Sequence, residues 1–123
     1  MIPAELDYVR PATIDEALGL LAGEGTTAIA GGQSLLPLLK LRLADAGTLV
    51  DVGRLPELQG IREDDAGGIV IGAATTWAEL LASSLVAQRA PVLAEVVRGI
   101  GDLQVRNRGT VGGSLAHADP ASD

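Results

Sequence analysis

The stretch that decides the fold is Thr27-Ala28-Ile29-Ala30-Gly31-Gly32-Gln33-Ser34-Leu35-Leu36-Pro37. Its first four residues are typical of a short buried strand, and the two glycines interrupt that strand. Ser34 stands where the N-cap of the following apolar helix is expected. Pro37 falls in the first turn of that helix, where a proline is tolerated. The sequence therefore predicts a strand, a tight turn and the start of a helix.

A turn of this kind can hold an anion. The first N–H groups of a helix lack partners within it, the helix dipole is positive there, and glycines let a phosphate approach the main chain. The stretch matches neither the G-x-G-x-x-G dinucleotide motif nor a P-loop, so taken alone it is also typical of an ordinary strand-to-helix turn. A second glycine pair flanked by small hydroxyl residues favours the anion site: Gly109-Thr110-Val111-Gly112-Gly113-Ser114.

The composition is that of a globular chain with an aliphatic core. The 123 residues include one Trp, one Tyr and no Phe, and the net charge of −7 argues against a nucleic-acid surface. The absence of Cys excludes disulfides, a thiolate nucleophile and a Cys-ligated metal centre on this chain itself. No membrane span or secretory signal is recognisable, and the sequence therefore predicts a cytoplasmic protein.

Three of the nine cationic residues, Arg98, Arg106 and Arg108, lie close to the second glycine pair. Two interpretations of this cluster are open: it compensates the charge of a bound anion, or it is part of a solvated charged face. Arg106 is likewise open to two interpretations, since it could neutralise a phosphate or pair with Asp102.

Residues 5–52 alternate between strand and helix patterns. Strands are predicted over residues 5–9, 27–30 and 48–52. The first helix is predicted to begin with a capping box of Thr13 and Glu16, and the second to run from Ser34 to Ala46-Gly47. This order predicts a small parallel β-α-β-α-β unit with Gly31-Gly32 at the carboxyl end of a strand, which is where ligands bind in such sheets.

After residue 53 the pattern changes. Residues 59–63 and 68–73 flank a run of turn formers and predict a β-hairpin, hence an antiparallel second sheet. Helices are predicted to begin with a capping box of Thr76 and Glu79 and with Pro91 at the first helical position. The apolar face of the second of these helices is predicted to be Leu93, Val96, Val97 and Ile100. From Leu103 onward the sequence predicts a polar, glycine-rich loop, followed by a strand beginning at Ser114.

With both glycine motifs in view, the chain resembles the flavin-binding subunit or domain of molybdopterin-dependent hydroxylases. That group includes the medium subunit of aerobic carbon monoxide dehydrogenase and the FAD domain of xanthine dehydrogenase. The resemblance is carried by Ala-Gly-Gly-Gln-Ser-Leu-Leu-Pro at residues 30–37 and by Thr-Val-Gly-Gly-Ser-Leu-Ala-His-Ala-Asp-Pro-Ala-Ser-Asp at residues 110–123. Residues 71–76 and the Arg-Asn-Arg-Gly at residues 106–109 match as well.

The resemblance implies an α+β fold, the FAD-binding fold of the vanillyl-alcohol-oxidase/PCMH type. Residues 1–53 would form its parallel β-α-β-α-β subdomain, and residues 54–123 the N-terminal part of an antiparallel α+β subdomain. Domains of this family continue past Asp123, so the resemblance also implies a chain truncated at its C-terminus.

The resemblance further implies an FAD between the two subdomains, with its pyrophosphate held by both glycine loops. The cofactor-binding positions carried over to this sequence are Ala28, Ile29, Ala30, Gly31, Gly32, Gln33, Ser34, Leu35, Ile100, Thr110, Gly113, Ser114, His117 and Asp123. No catalytic acid or base and no metal ligand is identified. His117, the only histidine, is assigned to cofactor contact and not to proton transfer, and Trp77 is predicted to be a core residue.

The implied function is that of an FAD-binding electron-transfer component of an oxidoreductase. In the family, a molybdopterin-binding large subunit oxidises the substrate and a small subunit with 2Fe-2S clusters relays the electrons. FAD then passes them to an acceptor such as NAD or a quinone. Two alternatives stay open: a stand-alone flavin reductase or oxidase of the same fold, such as the enolpyruvyl-glucosamine reductases, and a truncated, non-catalytic subunit-interaction module.

Overall fold

The computed structural model describes residues 1–122. Its first half alternates strands and helices: β1 Asp7–Val9, α1 Ile14–Leu21, β2 Thr26–Ile29, α2 Leu35–Lys40 and β3 Thr48–Asp51. The three strands form one parallel sheet in the order β1-β3-β2, with β3 in the centre. Thr48 of β3 lies opposite Asp7 on one side and Thr26 on the other, so the carboxyl ends of all three strands meet at one edge. The predicted parallel β-α-β-α-β unit is confirmed.

Two details of the first half differ from the prediction. Helix α2 ends at Lys40 and not at Ala46-Gly47, because Arg42 takes a left-handed conformation (φ 56°) that turns the chain out of the helix. The capping box at α1 is only half formed. The Thr13 hydroxyl accepts from the Glu16 N–H as expected, but the Glu16 carboxylate accepts from the Ala12 N–H one residue too early.

The second half begins with a short 3-10 helix, Pro56–Leu58, and the antiparallel hairpin of β4 Ile61–Glu63 and β5 Ile69–Ile71. Five helices follow: α3 Trp77–Ala82, α4 Ser84–Arg89, α5 Pro91–Arg98, α6 Leu103–Arg108 and α7 Val111–His117. The hairpin, the Thr76–Glu79 capping box and Pro91 as the first residue of α5 are all confirmed.

The predicted apolar face of α5 is confirmed for Val97 and Ile100 but is wrong for Leu93 and Val96, and the prediction was also wrong for the last twenty residues. In α5 the buried residues are Ala94 and Val97, whereas Leu93 and Val96 are exposed (38% and 58%). The small Ala94 side chain faces the core formed with α3 and α4, and this tertiary contact outweighs the larger apolar side chains. The predicted loop and strand are the helices α6 and α7, whose N-caps are Asp102 and Thr110.

Three apolar clusters hold the described residues together. Two lie in the first half, one of Ala17, Val50 and Leu55 and the other of Leu39, Ala46 and Leu49. The third is formed by Leu80, Val86, Ala94 and Val97. Trp77 is half-buried and packs against this third cluster, as predicted. The division of the chain near residues 53–56 stays a prediction.

Candidate functional site

A cleft of about 100 Å³ lies where the carboxyl edge of the parallel sheet meets the second half of the chain. From the first half, the cleft is lined by residues at or just after the ends of β2 and β3: Ala30, Gly31, Asp51, Gly53 and Arg54. From the second half, it is lined by residues before α3 and around the α6–α7 junction: Ala74, Thr76, Asn107, Arg108 and Thr110. The two glycine stretches of the sequence are therefore brought to one place.

The two glycines after β2 are required for different reasons. A Cβ atom on Gly31 would lie 2.1 Å from the carbonyl oxygen of Arg108 and 2.9 Å from the Cα atom of Gly109, so only a residue without a side chain allows these backbones to touch. Gly32 has φ 74°, a left-handed conformation that other residues rarely adopt. Together they let the chain turn sharply out of β2 against the α6–α7 junction.

This turn leaves a run of backbone donors without partners. Among residues 1–122, no acceptor receives the N–H groups of Gly31, Gly32, Gln33, Ser34 and Leu35, whereas the next N–H group, that of Leu36, donates to the Gly32 carbonyl (2.9 Å). A run of unpaired backbone N–H groups at the end of a parallel strand is able to bind an anion.

Ser34 occupies the N-cap position of α2, as predicted, but its side chain makes no capping hydrogen bond. An N-cap hydroxyl normally accepts from the N–H group at the second or third helical position. Here the second, Leu36, already donates to Gly32, and the third is Pro37, which has no N–H group. Within the described chain the Ser34 hydroxyl therefore has no hydrogen-bond partner.

The second glycine pair lies in the first turn of α7 and differs from the first pair. The N–H groups of Val111 and Gly112 donate to the carbonyls of Thr75 (3.0 Å) and Ala73 (2.8 Å). Those of Gly113 and Ser114 donate to the hydroxyl and the carbonyl of Thr110 (3.1 Å each). The first donors of α7 are thus used within the protein.

Gly112 is required by close packing. A Cβ atom at this position would lie 2.6 Å from the Cβ atom of Ala73 and 2.7 Å from its carbonyl oxygen. The second glycine motif therefore docks α7 against the segment that precedes α3.

A polar pair that the sequence analysis did not identify lies at the carboxyl end of the sheet. The Tyr8 hydroxyl on β1 donates to one carboxylate oxygen of Asp51 at the end of β3, and the other oxygen accepts from the Gly53 N–H (2.9 Å). The hydrogen bond to Asp51 raises the pKa of the Tyr8 phenol, with burial and the Asp51 charge adding to it. Asp51 and Arg54 could have been found from the rule that ligands bind beyond the carboxyl ends of parallel strands.

The remaining predicted positions fall into three groups. Ala28 and Ile29 lie at the end of β2 and Leu35 at the start of α2, with Ile29 and Leu35 packed against the Leu39 cluster. Ile100 packs against the Val97 cluster after α5. Gly113, Ser114 and His117 are exposed on α7, and the imidazole of His117 lies 3.9 Å from the Asp119 carboxylate. Asp123 lies outside the described residues.

Arg106 does not pair with Asp102. Its guanidinium donates to the carbonyls of Ile100 (3.0 Å), Gly101 (3.3 Å) and Arg98 (3.4 Å) at the C-terminal end of α5, where a positive charge is favoured. Asp102 instead caps α6 by accepting from the Val105 N–H (2.8 Å).

Within residues 1–122, no helix combines the length and the apolar character that crossing a bilayer requires. The cytoplasmic location stays a prediction.

Comparison with known proteins identifies relatives along the whole chain. It is 48% identical to the carbon monoxide dehydrogenase medium chain of Hydrogenophaga pseudoflava, over 100% of this chain and 43% of that protein. It is 44% identical to the glyceraldehyde dehydrogenase medium chain of Sulfolobus acidocaldarius, over 100% of this chain and 44% of that protein. The chain thus spans less than half the length of these relatives.

The fold matches that of solved structures of similar sequence. The structure matches the crystal structure of quinoline 2-oxidoreductase from Pseudomonas putida 86 with a TM-score of 0.95 and 40% identity, over 100% of this chain and 43% of that one. Residues 4–123 match the family model described as "FAD binding domain in molybdopterin dehydrogenase". The chain belongs to this family of FAD-binding domains, and its α+β architecture is their FAD-binding fold of the PCMH type.

Proposed function

We propose that this chain binds FAD with the pyrophosphate against the turn after β2. The observation that carries the proposal is the run of five unpaired N–H groups from Gly31 to Leu35. A pyrophosphate needs several hydrogen-bond donors at once. Backbone N–H groups supply these donors in fixed positions, whereas long side chains would lose conformational entropy when they bind the phosphates.

The residues of this turn fit the pyrophosphate group of FAD for three further reasons. The chain has a net charge of −7, so a doubly charged phosphate group needs donors that bring no negative charge. Gly31 and Gly32 present no side chain that would hold the phosphate away from the backbone. The Ser34 hydroxyl is free and adds a sixth donor beside the N–H groups.

The second glycine motif has a different role in this proposal. Its N–H groups are engaged within the protein, so Thr110 and Gly113 position α7 and do not supply backbone donors. The exposed side chains of Ser114 and His117 remain to contact the cofactor. Ala28, Ile29, Ala30, Gln33, Ile100 and Asp123 complete the proposed binding positions.

We further propose that the chain is the electron-transfer component of a larger oxidoreductase. FAD, when bound, supplies the redox chemistry that protein side chains lack. The residues of this chain bind the cofactor and orient it. The naming of the relatives as medium chains supports a large and a small subunit as partners. In this proposal the large subunit binds molybdopterin, the small subunit carries 2Fe-2S clusters, and the acceptor is a molecule such as NAD or a quinone.

A titration of the purified chain with FAD, followed by flavin fluorescence, tests the binding site. We expect saturable binding that is lost in Gly32→Asp, because the new carboxylate repels the phosphate and the residue is forced to φ 74°. Gly25→Asp is the matched control. It adds the same charge at nearly the same φ (69°), in open space at the other end of β2, and should bind FAD as the wild type does. Equal loss in both variants would contradict the proposed site.

The proposed assembly needs a separate experiment. The tagged chain should co-purify from its native host with one subunit that contains molybdenum and one that contains iron and sulfide. Isolation of the chain alone, with FAD bound and flavin-dependent reductase activity, would contradict the assembly and favour the stand-alone enzyme.

A further inference from the structure

Asp51 is a carboxylate in a place where a negative charge is unfavourable. It ends β3, and among the described residues that line the cleft it is the only one with a carboxylate. A carboxylate beside a site for a doubly charged pyrophosphate repels that ligand. A contact of Asp51 with the pyrophosphate itself is thus unfavourable, so its role lies in the contacts that it makes within the protein.

These contacts fix the backbone of the loop after β3. One carboxylate oxygen of Asp51 accepts from the Gly53 N–H (2.9 Å), and the other accepts from the Tyr8 hydroxyl on β1. The side-chain amide of Gln59 donates to the carbonyl of the same glycine (2.7 Å). Both polar groups of the Gly53 backbone are therefore held by side chains, and the Tyr8 hydroxyl keeps the carboxylate in its orientation.

Gly53 in turn lies against the start of the turn after β2. A Cβ atom on Gly53 would lie 3.2 Å from the Cα atom of Ala30 and 3.3 Å from its carbonyl carbon, so the two backbones are closely packed. Ala30 directly precedes Gly31, the first residue of the run of unpaired N–H groups. A displacement of Gly53 would therefore be passed on to this run.

We propose that Asp51 is a positioning residue, which acts through Gly53 to hold the turn after β2 in the conformation that presents its N–H groups to a ligand. Tyr8 has the role of orienting the Asp51 carboxylate. Donors that are already in place bind more tightly, because they need not be ordered when the ligand arrives. The inference rests on the proposed FAD site and adds to it two residues that donate nothing to the cofactor.

The test is an FAD titration of Tyr8→Phe, Asp51→Asn and the double variant, with the free energy of unfolding of each measured in urea. We expect the FAD affinity to fall about threefold or more in each single variant, because each loses one of the two hydrogen bonds of Asp51. The double variant should bind no more weakly than the weaker single variant, since both substitutions disrupt one network. A substitution that only lowered stability would leave the affinity of the folded chain unchanged.

Asp64→Asn is the matched control. The Asp64 carboxylate accepts from the N–H groups of Ala66 (2.9 Å) and Gly68 (2.7 Å) in the hairpin loop, so this substitution removes the same charge and the same kind of hydrogen bond outside the cleft. It should bind FAD as the wild type does. If Asp51→Asn binds FAD as tightly as the wild type or more tightly, only the repulsive charge matters and the proposal is overturned. An equal loss in Asp64→Asn would overturn it as well.

Amide NMR spectra of the cofactor-free variants separate this proposal from the FAD site. We expect the amide resonances of Gly31 to Leu35 to shift in Tyr8→Phe and Asp51→Asn and to stay in place in Asp64→Asn. If these shifts appear but the wild type does not bind FAD, the FAD proposal falls and the positioning of the turn by Asp51 stands. If the resonances move in neither variant, Asp51 does not position the turn, whether or not FAD binds.

Discussion

Replacement of Gly31 by alanine should separate the two halves of the chain. The added Cβ atom would lie 2.1 Å from the Arg108 carbonyl oxygen, whereas ordinary contact begins at 3.4 Å. The two backbones must therefore move apart by more than about 1 Å. Overpacking a close contact costs about 1–3 kcal/mol, and a backbone neighbour cannot rotate away as a side chain can. We expect Gly31→Ala to lower the free energy of unfolding by about 3 kcal/mol.

The assay is urea denaturation followed by circular dichroism, together with a thermal melt, in which about 3 kcal/mol corresponds to a fall of roughly 10 °C in Tm. Gly19→Ala is the matched control, because Gly19 lies within α1 and a Cβ atom there meets no heavy atom within 4 Å. It should stabilise the chain by about 0.5–1 kcal/mol. If Gly31→Ala unfolds like the wild type, the close approach of Gly31 to Arg108 does not exist in solution.

Two further predictions concern single hydrogen bonds. Since the chain has one tyrosine, absorbance of the phenolate should report a pKa of Tyr8 above its ordinary value of 10.0, and Asp51→Asn should return the pKa toward that value. The pKa of Tyr8 is higher in the folded than in the unfolded chain, so the stabilisation from the Tyr8–Asp51 hydrogen bond is complete below the ordinary pKa and is lost as the pH rises through the folded pKa. A wild-type pKa of 10.0 would mean that this hydrogen bond does not form. Thr110→Val should lower the free energy of unfolding by about 1 kcal/mol in urea, because the Gly113 N–H loses its cap, whereas Thr110→Ser should retain it. Equal losses in both variants would show that the hydroxyl does not cap α7.

The first half of the fold could be predicted because its signals are local. Thr13 and Glu16, the glycines after β2 and the apolar runs of the strands each lie within a few residues of the structure they specify. The end of α2 could not be predicted in the same way, because it depends on the left-handed conformation of Arg42.

Helix α6 begins at a local signal that the sequence analysis missed, the N-cap Asp102, whereas α7 could not be predicted because distant residues help to determine its structure. Glycines at positions 112 and 113 disfavour a helix, yet α7 forms since its first N–H groups donate to the Ala73 and Thr75 carbonyls, nearly forty residues earlier in the chain.

The polar pair of Tyr8 and Asp51 was missed for the same reason. It joins residues 43 positions apart, and the alternation of strands and helices indicates only that their strands share a sheet. The N–H groups after β2, in contrast, could be anticipated from the glycine pair and the strand that precedes it.

Amide hydrogen exchange with and without FAD tests the central claim most directly. In the free chain, the amides of Gly31, Gly32, Gln33, Ser34 and Leu35 should exchange rapidly, because they have no acceptor in the described chain, while those of Val111 to Ser114 should be protected. Saturating FAD should slow exchange at the first set and leave the second set protected as before. If FAD binds and the amides from Gly31 to Leu35 still exchange rapidly, the turn after β2 does not hold the pyrophosphate, and the proposed site is wrong.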